Sequence, residues 1–255
     1  MPIPRIIARL DVKGPNVIKG IHLEGLRVVG EPGDLARRYY EQGIDEILYM
    51  DTVASLYGRN NILTIVEEAA REVFVPLTVG GGIRSVEDIV AALRSGADKV
   101  AINTAAVADP EFIESSAHIF GSQCIVISIE AKQRGKDSWE VLTENGREST
   151  GRDVSQWAAE VQRRGAGEIL ITSVDREGTK RGFDDDLFQA VRSCVDIPVI
   201  GAGGAGSAEH IIQTLSRNEI DAVAYAGIFH YEICEVRSLK NAIAETGIRV
   251  RPEAV

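Results

Sequence analysis

Short apolar, β-branched runs alternate with amphipathic segments along the whole chain. The runs predict strands over 5–10, 46–51, 74–79, 99–104, 123–130, 168–173, 198–202 and 221–226. Between them, apolar residues fall at helical spacing over 34–42, 61–72, 86–95, 111–120, 154–164, 185–194 and 208–217, and a last helix is predicted over 236–246. Eight strands, each followed by a helix, spell an α/β fold of the (β/α)8 TIM-barrel type, one domain over residues 1–255. A doubly wound open sheet is the alternative, but eight regular units and an internal repeat favour the barrel.

That repeat has a period of about 120 residues. TVGGGIRSVEDIVAALRSGADKVAINT at 78–104 is echoed by VIGAGGAGSAEHIIQTLSRNEIDAVAYAG at 199–227, and GIDEILYMD at 43–51 by GAGEILITSVD at 165–175. Each long copy reads as strand, glycine-rich turn, helix and second strand. A glycine-rich turn between a strand and a helix lets backbone N–H groups approach an anion. A single such turn is usually no more than a tight turn. Two, after the third and seventh strands of a duplicated barrel, face each other across its mouth and predict a grip for an elongated substrate with a phosphate at each end.

Composition narrows the partners. A net charge of −10 argues against nucleic acid, because binding a phosphate backbone needs a basic face. It does not argue against a small phosphorylated molecule held by backbone amides. Cys124, Cys194 and Cys234 are odd in number, widely spaced and set in apolar surroundings, which predicts buried free thiols in a reducing compartment. No apolar run reaches the ~18 residues of a membrane span, and the opening MPIPRIIARLD lacks a signal-peptide pattern, so a cytoplasmic protein is expected. The four histidines, His22, His118, His210 and His230, are scattered, and neither a metal nor a cofactor is expected.

Barrel chemistry sits at the C-terminal ends of the strands. The pattern places Asp11, Asp51, Asn103, Thr104, Glu130, Thr172, Ser173 and Asp175 there. Asp11 after the first strand and Glu130 after the fifth are related by the repeat and could flank a substrate as acid and base. The alternative for each is a helix cap or a partner for a loop cation. One anion site is read as Gly81, Gly82, Asn103 and Thr104, the other as Gly178, Gly203, Gly204, Ala226 and Gly227, with Asp175 beside it. At the opposite end Arg5, Glu46, Lys99 and Glu168 open four strands. If they face inward they must pair, and a paired ring would plug or gate the barrel floor.

The motifs IARLDVK at 7–13, TVGGGIRS at 78–85, GADKVAINTAAV at 96–107, FGSQ at 120–123, RRGAGEILITSVDREGTKRGFD at 163–184 and GAGGAG at 201–206 carry a resemblance over essentially the whole chain. The chain resembles the HisF family, the cyclase subunit of imidazole glycerol phosphate synthase. The resemblance implies a barrel duplicated from half-barrels, with a glutaminase partner at the N-terminal face and ammonia travelling up the interior. At the top, ammonia would meet a bisphosphorylated ribulosyl formimino aminoimidazole carboxamide ribotide. The products would be imidazole glycerol phosphate and aminoimidazole carboxamide ribotide, a lyase step of histidine biosynthesis. It implies Asp11 and Glu130 as the catalytic pair, Lys19 as a substrate-facing cation of the first loop, Arg5, Glu46, Lys99 and Glu168 as the ammonia gate, and Asp98 at the partner surface.

The chain departs from the family pattern at several points. Glu130 stands where the family has Asp, Arg9 where it has a small Cys, Gly227 where it has Ser, and Glu177 where it has Asp. The long first loop, residues 12–31, also differs. Together with a polar insertion over 133–149, expected as a hairpin around Glu144-Asn145-Gly146, it has the size of a lid. These departures resemble a side branch that delivers ammonia for amidation of a bacterial surface-polysaccharide sugar without cyclising anything, and this is the alternative function. Arg9 shares strand parity with Asp11 and is expected inside the barrel, paired with Asp11 or Glu130.

Overall fold

The structure, a computed structural model, describes residues 3–52, 62–217, 220–231 and 234–252. Among them, eight parallel strands close a barrel: β1 (Arg5–Lys13), β4 (Glu46–Asp51), β5 (Leu77–Gly80), β6 (Lys99–Ile102), β7 (Ile125–Gly135), β10 (Glu168–Ser173), β11 (Val199–Ala202) and β12 (Ala222–Tyr225). The circle closes because β1 pairs with both β12 and β4, and β7 with both β6 and β10. Helices wrap the outside: α1 (Pro32–Glu41), α2 (Ile62–Ala69), α3 (Val86–Arg94), α4 (Thr104–Ala108), α5 (Glu111–Phe120), α6 (Val154–Arg163), α7 (Asp185–Arg192), α8 (Ala208–Ser216), α9 (Gly227–His230) and α10 (Val236–Glu245). None is long and apolar enough to cross a membrane.

Strands covered on both faces need apolar residues at nearly every position. Their parity therefore sorts them into two layers. Ile6, Ala8 and Leu10 of β1 point outward and pack with the helices, whereas Ile7 points inward with Leu48, Ala101, Val126 and Leu170. Arg5, Arg9 and Asp11 share the parity of Ile7, so the inward row of β1 carries three charges. The last helix is tied to the barrel by a buried ion pair, Lys240 Nζ to Asp45 Oδ1 at 2.6 Å, while Asp45 Oδ2 accepts from the Ile6 N–H.

The repeat is visible in three dimensions. Gly81 and Gly203 have φ of +89° and +93°. A Cβ at Gly81 would meet the Asp51 carbonyl oxygen at 2.1 Å, and one at Gly203 the Ser173 carbonyl oxygen at 2.7 Å. Asp51 and Ser173 end the second and sixth barrel strands, so both glycines are required by the same close approach. Each turn then delivers a serine N-cap: Ser85 accepts from Asp88 N in a capping box, and Ser207 accepts from His210 N.

Several sequence expectations are corrected. The third strand begins at Leu77 rather than at 74, and Phe74 is 76 % exposed. Pro76 offers no N–H to a ladder and restricts Val75 before it. Residues 103–104 and 226 leave their strands because Asn103 and Ala226 are the N-caps of α4 and α9. Residues 122–124 form a 3-10 turn ahead of β7. The stretch 12–31 is ordered backbone: β1 continues to Lys13 and turns into the hairpin β2 (Asn16–Ile21) and β3 (Glu24–Gly30). The insertion 133–149 extends a meander, β7 to β8 (Ser138–Thr143) to β9 (Glu148–Asp153), with the expected turn at Glu144–Gly146 in left-handed conformation. Asn61, the expected start of the second helix, lies outside the described residues. The thiols are not all buried: Cys194 is exposed, because it follows the end of α7 on the way to Pro198, and Cys124 and Cys234 are half-buried.

Candidate active site

The floor of the barrel is a closed ring of alternating charge. Arg5 Nη1 lies 2.8 Å from Glu46 Oε2, and Arg5 Nη2 pairs with Glu168 Oε1. Lys99 Nζ lies 2.8 Å from Glu46 Oε1 and 2.9 Å from Glu168 Oε2. Each cation thus bridges both acids, and all four carboxylate oxygens are engaged, with Thr78 Oγ1 adding a bond to Glu46 Oε1. Burial would lower the Arg5 pKa, but Glu168 and Glu46 raise it above its usual value. The four residues named from strand parity are therefore brought together. Asp98 is exposed at this end, where its carboxylate accepts from the Leu77 N–H.

At the other end of the barrel a second set of charges converges. Arg9 is 3 % exposed; its Nε donates to Asp11 Oδ1 at 2.7 Å and its Nη1 to Thr172 Oγ1 at 3.0 Å. The β2–β3 hairpin carries Lys19 into the same space, with Nζ 3.5 Å from Asp11 Oδ2 and paired with Glu177 Oε1. Burial would raise the Asp11 pKa, but Arg9 and Lys19 outweigh it and hold the carboxyl below its usual range. Lys19 is buried too, and the pull of Glu177 and Asp11 raises its pKa against that burial.

Glu130 has the opposite fate. Its Oε2 accepts from Asn103 Nδ2 at 3.0 Å and from the Gly146 N–H at 2.7 Å. Burial nevertheless dominates and pushes it up to about 7, with the Arg9 charge and the Gly146 bond holding it partly back. Two carboxyls in one site thus differ in protonation near neutral pH, which is the arrangement acid–base chemistry requires. Replacing Asn103 by Leu removes a donor to the ionised form. The expected result is a further rise of the Glu130 pKa by up to about one unit, read as an alkaline shift in its carboxyl titration or in the pH–rate profile.

Two cavities flank these groups. The smaller, about 380 Å³, is lined by Gly81, Gly82, Asn103, Thr104 and Glu130. The larger, about 600 Å³, is lined by Arg9, Lys19, Gly178, Gly204, Ala226 and Gly227. The two anion sites read from the glycine turns are therefore two distinct concavities. Gly203 lines neither; it sits behind Gly204 against the Ser173 carbonyl. Asp175 also lines neither, its carboxylate being tied to Lys132 at 2.9 Å and to the Gln133 N–H at 2.8 Å. Asp11 lines neither as well: Arg9 and Lys19 stand between it and the larger cavity.

Other lining groups were not singled out from the sequence. Arg27 and Lys180 add cations to the larger cavity, with Lys180 Nζ 4.7 Å from the centroid of the Tyr231 ring. The Glu144-Asn145-Gly146 turn marked a hairpin tip, but nothing in it announced that the Gly146 amide would reach Glu130. His230, buried and bonded through Nδ1 to the Tyr39 hydroxyl at 2.7 Å, is lowered to about 4 by burial and by Lys19. Among the described residues, Asn103 Oδ1 and His230 Nε2 are buried polar atoms without a hydrogen-bond partner.

Comparison with known proteins places the chain in a family. A family profile described as "Histidine biosynthesis protein" matches residues 5–235. The chain is 62 % identical over 205 residues to the imidazole glycerol phosphate synthase subunit HisF of Legionella pneumophila, a match covering 80 % of this chain and 97 % of that protein.

Proposed function

The chain belongs to the histidine biosynthesis protein family, as a HisF-type subunit, and from that premise we propose how its site works. The function is that of a cyclase subunit of imidazole glycerol phosphate synthase, a lyase of histidine biosynthesis. The similarity favours this over sugar amidation, since the relative carries the synthase name over nearly its whole length. The observation that carries the site assignment is a pair of buried carboxyls, Asp11 and Glu130, at the barrel mouth beside two glycine-walled cavities.

In this reading each cavity takes one phosphate of the bisphosphorylated substrate. The smaller offers the Gly81–Gly82 turn and the start of α4 at Thr104; the larger offers the turn at Gly204, the start of α9 at Gly227, and Lys19. Addition of ammonia to the ribulosyl carbonyl requires a proton for the departing oxygen, and the aminoimidazole nitrogen requires one as it leaves. Glu130, near 7, can hold and release such a proton at neutral pH. Asn103, with a bond to Glu130 and an unpartnered Oδ1, can orient both the carboxyl and a substrate donor.

Ammonia is supplied from below by a glutaminase docked on the face that carries Asp98, and it enters through the ring of Arg5, Glu46, Lys99 and Glu168. The test is direct. Purified chain is given the bisphosphorylated substrate with an ammonium salt at alkaline pH, and the two products are followed by mass spectrometry. Formation of imidazole glycerol phosphate with one equivalent of the carboxamide ribotide is expected. Recovery of unchanged substrate would overturn the reading and turn attention to sugar amidation.

A further inference from the structure

The two cavities of the mouth share glycine turns but differ in charge. Among the described residues, the larger is lined by four cations, Arg9, Lys19, Arg27 and Lys180, and one acid, Glu177. The smaller is lined by three acids, Asp51, Asp109 and Glu130, and one cation, Arg84. Pairing sharpens the contrast. Glu177 matches the charge of Lys19 within the wall of the larger cavity. Arg27 and Lys180 are exposed and make no ion pair among the described residues, Lys180 resting over the Tyr231 ring.

Arg9 reaches the larger cavity from the barrel interior. It follows Ala8, which is in register with Tyr225 of β12, and so comes level with Ala226 in the wall of the same cavity. A guanidinium carries five N–H donors in one plane. Nε donates to Asp11 and Nη1 to Thr172, so that plane is fixed from two directions. Nη2 has no hydrogen-bond partner among the described residues. Unlike Asn103 Oδ1 it is not sealed in, so it keeps an edge on the cavity that Arg9 lines. A side chain only 3 % exposed thus presents unused donors of a permanent cation to an open space. Such donors are costly to leave unmatched, and an anionic oxygen of a ligand matches them.

We propose that Arg9 is a binding residue whose Nη2 edge takes an oxyanion oxygen, and that with Arg27 and Lys180 it makes the larger cavity the primary anchor for a phosphate monoester. This rests on the reading in which each cavity takes one phosphate. What it adds is an order of strength. In the larger cavity a phosphate meets a fixed guanidinium and two unpaired cations. In the smaller it meets backbone amides beside three acids, which oppose its charge. A bisphosphorylated substrate then docks at the larger cavity first, and its second phosphate reaches the smaller one afterwards.

The test is equilibrium binding of inorganic phosphate to the full chain, followed by calorimetry and phosphorus NMR at low salt. Two classes of site are expected, the tighter by about tenfold or more. Arg9→Met should weaken the tighter class about tenfold or more, as a charge-assisted bond is lost. Arg27→Met and Lys180→Met should each weaken it about two- to fivefold. Salt at about 0.5 M should erase these two rim effects and leave most of the Arg9 effect, because buried charges are screened much less. The double variant Arg9→Met with Asp11→Asn leaves no unpaired acid and should bind as weakly as Arg9→Met. Recovery of wild-type affinity in the double variant would place the effect in Asp11 and overturn the proposal. Two classes of equal strength, or a tighter class indifferent to Arg9→Met, would overturn it too. If Arg9→Met does not fold, the wild-type protein crystallised with phosphate decides: a phosphate oxygen is expected within about 3 Å of Arg9 Nη2, and phosphate seated beyond its reach sinks the assignment. Phosphate bound as expected by a chain that cyclises nothing would overturn the cyclase reading alone; cyclisation by a chain with two equal phosphate sites would overturn this proposal alone.

Discussion

Glu130→Gln is expected to lower ammonium-driven cyclisation by roughly 100- to 10,000-fold, the range associated with loss of a positioned acid or base. The amide still offers an acceptor to Asn103 and to the Gly146 N–H, so the barrel and its meander should be retained. What is lost is a proton that can be held and released near neutrality. Substrate KM should change little, because the phosphate-facing groups lie on other strands. The same substitution should alter stability with a definite sign. The Glu130 carboxyl has a folded-state pKa of about 7 against an ordinary value of 4.5. Between those values the folded chain keeps a proton that the unfolded chain gives up. Stability contributed by that carboxyl at low pH is therefore lost as pH rises through about 7. Gln has no such dependence, so the variant should gain on the wild type by up to about 3 kcal/mol across that window. Urea melts at pH 5 and pH 8 test this; a constant difference between the two proteins would contradict the assignment. A residue that costs stability at the working pH and is required for turnover is the trade-off expected at a catalytic position.

Glu130 also shows which parts of such a site a sequence reveals. Strand order and the repeat pointed to it: the end of the fifth barrel strand put it near the mouth, and the half-barrel repeat set it opposite Asp11. Strand parity assembled the four charges of the floor, because each opens a strand whose inward parity is set by the residues above it. Both depend on local periodicity and on barrel closure, and both are written in residue order. Contacts made by connections were not legible in this way. The Gly146 amide reaches Glu130 only because the β8–β9 turn folds back over the mouth, and Lys19 reaches Asp11 only because residues 12–31 form a hairpin rather than an open loop. Val12, Val17 and Ile18 are buried by that hairpin, so its strand alternation was present in the sequence but masked by Gly14, Pro15 and Gly20. Asp175 illustrates the reverse error. Its place just past a strand end suggested a substrate contact, yet the meander supplied Lys132 and Gln133 as partners. Strand-end position leaves Asp175 32 % exposed but does not say which neighbouring connection engages its carboxylate.

The floor ring carries the largest expected effect on stability. Replacing Glu46 by Leu leaves Arg5 and Lys99, only 13 % and 19 % exposed, sharing Glu168 alone. Breaking a buried ion pair by removing one partner costs about 3–5 kcal/mol, because the remaining charge stays desolvated. For a chain of this size that corresponds to a fall in Tm of roughly 10 °C or more. Because the Glu46 side chain is 2 % exposed and that of Lys99 19 %, loss of Glu46 should cost more than Lys99→Met. The pair Glu46→Leu and Lys99→Met should be less destabilising than the two single effects added, by about 1–3 kcal/mol, since each removes a charge that the other leaves unpaired. Strict additivity would show that the four charges act as independent, solvated groups rather than as a ring. The functional consequence follows from where the ring sits. It closes the end of the barrel away from Asp11 and Glu130, so Lys99→Met should leave ammonium-driven kcat within about twofold while changing turnover that depends on ammonia delivered by the glutaminase. A variant that lost both activities equally would place the ring's role in the fold alone, and one that lost neither would remove it from the ammonia path.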